Sequence, residues 1–86
     1  MNRYKLFKIC LILNDESKSD FLERFNQVSG QTMPAGYLTM ILKGVRDHKS
    51  HVASMAIKSV DSYIANTIRN HAVQIIQTIE VLRHEG

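Results

Sequence analysis

The apolar positions of this chain fall into runs of different period, and each run predicts an element. Residues 3–13 read Arg-Tyr-Lys-Leu-Phe-Lys-Ile-Cys-Leu-Ile-Leu. Tyr4, Phe7 and Leu11, together with Leu6, Ile9 and Leu13, suit a helix buried on more than one side, and the same short run also suits a buried strand. No later segment supplies a strand for it to pair with, and a lone strand leaves its backbone groups unmatched, so a helix is the expectation. Asn14 to Ser19 is a polar break. Phe21, Leu22, Phe25 and Val28 then fall at i, i+1, i+4 and i+7, one face of a second helix. Asp20 followed by Glu23 reads as its capping box, which starts it near Ser19 or Asp20, and Gly30 reads as the left-handed residue that ends it.

The third predicted helix is bounded on both sides. Thr32 caps it, Pro34 sits in its first turn, where a missing amide costs nothing, and Gly44 closes it. Tyr37, Leu38, Ile41 and Leu42 form its expected buried face. Val45 to Ser50 is a basic loop, and from Ser50 or His51 to His84 neither Gly nor Pro occurs. Along that stretch Val52, Ala56, Val60, Ile64 and Ile68 repeat at spacing four. Ala72, Ile75, Ile79 and Leu82 then alternate three and four, which is coiled-coil spacing over less than two heptads. The stretch is one very long helix, or two with a break near Asn66 to Asn70.

Composition narrows the class. At 86 residues, 44% hydrophobic and 22% charged, the chain is one globular domain, 1–86, and not a disordered tract. One Pro and four Gly are too few for a collagen-like, linker-like or turn-dense all-β chain. The expected fold is therefore all-α: a small domain of four or five helices with a long C-terminal helix. Residues 1–50 carry the N-terminal helices and 51–84 a helical dimerisation region. A domain this small hides only about 60–65% of its extended-chain surface, so a second copy or another partner is expected to complete the core.

Charge and chemistry bound the function. Eleven Lys and Arg against eight Asp and Glu give +3, which allows an anionic partner without demanding one. The distribution says more than the sum. Lys43, Arg46, His48, Lys49 and His51 stand against Asp47 alone, Arg3, Lys5 and Lys8 stand against no acid, and Asp15, Glu16, Asp20 and Glu23 bunch between the two patches. Cys10 is the one cysteine, so no intrachain disulfide forms; within Ile9 to Leu13 it reads as a small buried hydrophobe in a reducing compartment. That apolar run is shorter than the 7–15 residues of a signal peptide's core and no stretch approaches a membrane span, so a soluble, cytoplasmic protein is expected. His48 and His51 complete no ligand set, His71 suits a partly buried interface and His84 stands isolated, so no metal and no cofactor is expected. Asp15 and Glu16 have nothing converging on them, and neither a nucleophile–base pair nor a phosphate-cradling Gly loop occurs, so the chain is not expected to be an enzyme.

The most informative stretch is Ala35 to Arg46. Tyr37, Leu38, Thr39, Ile41, Gly44 and Arg46 give it the order aromatic, Leu, Thr, Ile, Gly, Arg. It resembles the recognition helix of the phage-repressor-like helix-turn-helix family, over roughly residues 19–64, with Asp20 to Ser29 as the first helix of the pair. The resemblance implies a small regulator that reads duplex DNA with a recognition helix at 33–43. It places Gln31, Thr32, Ala35, Gly36 and Thr39 against base edges, and Lys43, Arg46, Lys49 and Lys58 against phosphates. In the long tail, Ile64, Ile68, Ala72, Ile75, Ile79 and Leu82 are the expected homodimer interface, while Val73, Ile76 and Val81 fall off that stripe. Either the N-terminal helix or another subunit covers the second apolar face. The rival reading is a small helical protein-binding module, or an inhibitor of the kind phages and mobile elements encode. A third is a structural oligomer built on the C-terminal helix.

Overall fold

The computed structural model describes residues 2–44 and 50–85, and among them the chain forms four helices and no strand: α1 (Arg3–Leu13), α2 (Lys18–Ser29), α3 (Ala35–Leu42) and α4 (His51–Glu85). The all-α expectation holds, and residues 51–85 are a single helix, without the break at 66–70. With no Gly or Pro in that stretch, nothing interrupts its backbone ladder. The described residues contain no helix long and apolar enough to cross a membrane.

Caps explain the boundaries, and they correct two of the expected ones. Asn2 opens α1 by accepting the Lys5 amide at 2.8 Å. The box that opens α2 is Ser17 with Asp20, not Asp20 with Glu23: Asp20 N–H donates to Ser17 Oγ at 3.1 Å, and Ser17 N–H donates to Asp20 Oδ2 at 2.9 Å. Both pairs have the three-residue spacing. The earlier one closes directly after the reversal at Asp15, whose φ of 53° turns the chain out of α1. Gly30 ends α2 in the left-handed region, φ 73°, as its sequence position suggested. At α3 the N-cap is Pro34, and Thr32 lies exposed outside the helix with no capping role, so the recognition helix expected at 33–43 is shortened to 35–42.

The five residues between α2 and α3 are held by a side chain. Asn26 Nδ2 donates to the Met33 carbonyl at 3.2 Å, and the Met33 amide donates to Asn26 Oδ1 at 3.0 Å. A short polar side chain thereby stands in for a missing strand of backbone partners.

The core lies where α1, α2 and α3 meet the first half of α4. Phe7, Leu38, Ile41 and Val60 are its centre, each at most 2% exposed. The rings of Phe7, Phe21 and Tyr63 interlock edge to face, with centroids 5.0, 5.2 and 5.8 Å apart. α4 faces them with Ala53, Ala56, Val60, Ile64 and Thr67. Thr67 is buried without a penalty, because its hydroxyl donates to the Tyr63 carbonyl at 2.7 Å and accepts from Asn14 Nδ2 at 2.8 Å.

Three burial expectations fail. α1 is buried on one side only, through Phe7, Cys10 and Leu11, and Ile9, Ile12 and Leu13 are exposed. Val28, assigned to the inner face of α2, is 90% exposed, because α2 leans off α4 at that end and leaves a groove. Ile64, expected on an exposed apolar face, is 8% exposed and belongs mainly to the chain's own core, showing only an edge to the channel between α1 and α4. Beyond His71 the long helix has no cover at all: residues 72–84 are exposed throughout, and the molecule measures 53 × 26 × 17 Å.

Candidate functional site

Two lysines stand over one ring, and a third borders the hollow beside it. Tyr4 and Lys8 are one turn apart on α1, and the Lys8 ammonium stands 5.3 Å from the Tyr4 centroid. Lys43, the C-cap residue of α3, brings its ammonium to 4.8 Å from the same ring. Lys18, the first residue of α2, lines a hollow of about 250 Å³ with Tyr4 and Lys8 and donates to Thr39 Oγ1 on α3 at 2.6 Å. Among the described residues no carboxylate lies within ion-pair distance of these three ammonium groups. Glu16 borders the same hollow, but it is committed elsewhere, in a bidentate pair with Arg24 and as acceptor from the Tyr63 hydroxyl at 2.6 Å.

The Arg24 guanidinium, seconded by the Tyr63 hydroxyl, holds the Glu16 carboxyl below the usual carboxylate range. Burial, and then the neighbouring carboxylate, push the Tyr63 hydroxyl up. A carboxylate with a lowered folded value stabilises the fold above the pH at which the unfolded chain titrates, and loses that contribution as pH falls through the folded value. Glu16→Gln is therefore expected to flatten the acid side of the stability profile from about pH 4 downward. Thermal melts between pH 2 and 7 check this, and an unchanged acid limb would contradict it. Burial pushes the Cys10 thiol up, with Thr67 partly opposing, which leaves it protonated and inert among the core residues.

The base-reading residues expected from sequence are only partly presented. Thr32 and Gly36 are exposed, and Gln31 and Ala35 are half-buried. Thr39 is turned back into the fold: its hydroxyl donates to the Ala35 carbonyl at 3.1 Å and receives Lys18, so it does not stand open to a groove. Leu38, Ile41 and Leu42 bury the other side of α3, and its open side is Gly36, Met40 and Lys43. Lys58 lies elsewhere, on the rim of the groove between α2 and α4. Arg46 and Lys49, with His48, lie outside the described residues. The chain enters that segment from Gly44, one residue beyond Lys43.

The sequence groups Lys8 with Arg3 and Lys5 as a basic patch and places Tyr4 on a helix face, but it assigns none of Tyr4, Lys8 and Lys18 to a site. The Tyr4 to Lys8 spacing of one helical turn was a readable signal; the approach of Lys43 and Lys18 is a tertiary event that no local pattern carries. His71 is half-buried, with Nε2 3.4 Å from Asn14 Oδ1, and among the described residues no cluster of metal-binding side chains occurs.

The second surface is the groove of about 550 Å³ that Val28 leaves open. Phe25, Met55 and Tyr63 give it an apolar lining, and Arg24 and Lys58 put two cations beside it. No protein-family model, curated protein or solved structure matches this chain.

Proposed function

We propose that this protein is a small nucleic-acid-binding regulator that grips the phosphates of duplex DNA with the face formed by α1, the start of α2 and the end of α3. The observation that carries the reading is the placing of Lys8 and Lys43 over the Tyr4 ring, with Lys18 beside the same hollow and no described carboxylate within ion-pair distance of the three. Holding like charges together costs free energy unless a polyanion offsets it. Lys18 adds to that cost, because it places a cation at the positive end of the α2 dipole. In sequence, Arg46 and Lys49 follow Lys43 within six residues. Thr32 and Gly36, on the open side at the start of α3, are the positions offered to base edges; Thr39 acts instead as the seat of Lys18. Contacts of this kind fix affinity first and sequence preference second.

The test is a polarisation titration with mixed-sequence duplex at 50 and 200 mM salt. Three phosphate contacts give a slope of about −2.7 in log affinity against log salt, a loss of roughly 40-fold over that interval. No affinity at 50 mM salt would remove the reading. It would favour the rival, a protein-binding module that uses the apolar α2–α4 groove with Arg24 and Lys58 at its edge.

A further inference from the structure

The last third of α4 is a helix without a body. Residues 72–84 extend about 20 Å past the domain, with every side chain exposed. Ile75, Ile79 and Leu82 are 59%, 45% and 61% exposed along one seam with Ile68 and Ala72. β-branched residues such as Ile75 and Ile79 favour a helix weakly, and an isolated segment of this length is marginal in water, so the fold leaves this stem unsupported.

A matching groove lies on the same chain. α1 and α4 run side by side in the same direction, as the contacts of Arg3 with Asp61 and of Asn14 with Thr67 and His71 show. Between them Leu6, Ile64, Ala65 and Ile68 line an open, mostly apolar channel of about 520 Å³, with the half-exposed pair of Arg3 and Asp61 at one end. Ile9 and Leu13, 41% and 48% exposed, follow Leu6 along α1. Ile68 ends the groove and begins the stem's seam, so groove and seam are one continuous apolar surface.

We infer that two copies of this chain pair antiparallel, the stem of each lying in the α1–α4 groove of the other. The area favours a second copy as the occupant. A compact monomer of 9.8 kDa exposes roughly 5,200 Å² and this chain exposes 6062 Å². The excess, on the order of 900 Å², is about what one partner contributes to a standard interface, roughly 800 Å². The radius of gyration agrees: 15.7 Å, against about 12 Å for a compact chain of this length. Coverage selects the direction. An antiparallel pair lays each stem over the partner's groove, whereas a parallel pair sets stem against stem, leaves both grooves open and brings the two Arg83 ends together. The seam's spacing then puts Leu82 over Ala65 and Ile79 over Ile68 of the other copy, with Ile75 and Ala72 at the two-fold axis.

This pairing does not depend on nucleic-acid binding and is measured without it. Sedimentation equilibrium at 50 μM is expected to give twice 9.8 kDa, and the Ile75→Asp/Ile79→Asp variant, whose changes touch no core residue, half of that. Oxidation of an Ala65→Cys/Leu82→Cys variant is expected to give a covalent dimer. The two positions are about 25 Å apart in one chain, beyond any intrachain disulfide, and Cys10 is buried. Leu82→Cys alone is expected not to cross-link. A monomeric mass overturns the pairing. Cross-linking by Leu82→Cys alone, or its absence in the double variant, overturns the antiparallel seating.

Discussion

Phe7→Ala is expected to cost about 3–5 kcal/mol, the largest loss of stability that any single truncation produces in this chain. Phe7 is 0% exposed, and its ring meets those of Phe21 at 5.0 Å and Tyr63 at 5.8 Å, so it joins α1 to both α2 and α4. Removing it deletes buried apolar surface, leaves a cavity and abolishes two edge-to-face contacts at once. A domain of this length has on the order of 4–13 kcal/mol in total, so the loss takes between about a quarter and all of that margin. Urea titration followed by helical circular dichroism checks this. Val28→Ala, at a side chain 90% exposed, is the control and should change stability by less than about 0.5 kcal/mol. A Phe7→Ala protein as stable as that control would mean the ring trio is not the keystone of the core.

The second large effect falls on binding. Lys8→Gln, Lys18→Gln and Lys43→Gln combined should reduce the salt slope of duplex binding by about 2.7, and affinity at 0.1 M salt by 10²- to 10³-fold. None of the three lysines lies in the core, so helix content should be unchanged. Lys18→Gln also frees Thr39 Oγ1 from its charged partner, and Thr39 keeps its bond to the Ala35 carbonyl. Lys58→Gln, on the α2–α4 groove, should leave the slope where it was. A slope equal to wild type in the triple variant would remove the lysine face from the interaction, even if Arg46 and Lys49 alone sustained some affinity.

Helix existence was legible here because it depends on local spacing and on caps. The Gly30 ending, the buried Leu38, Ile41 and Leu42, and the uninterrupted stretch after Ser50 all follow from residues a few positions apart. What failed was burial, which depends on where a neighbouring helix ends. Val28 has the right spacing for an inner face, but α4 is not against it. Ile64 has the right spacing for a dimer seam, but the chain's own core reaches that far along α4. The site divided in the same way. Lys43 was readable from the basic run beside it, whereas its stacking on Tyr4 joins positions 39 residues apart. Thr39 was read as outward because small polar residues usually are. Lys18, which changes that reading, arrives from another helix.

The continuity of α4 has a mechanical consequence. A single helix from His51 to Glu85 has no hinge, so the core end and the free end keep a fixed separation and a fixed azimuth. Each residue advances the axis by about 1.5 Å and turns it by about 100°, so whatever is bound at the tip is phased against the lysine face like a mark on a graduated rod.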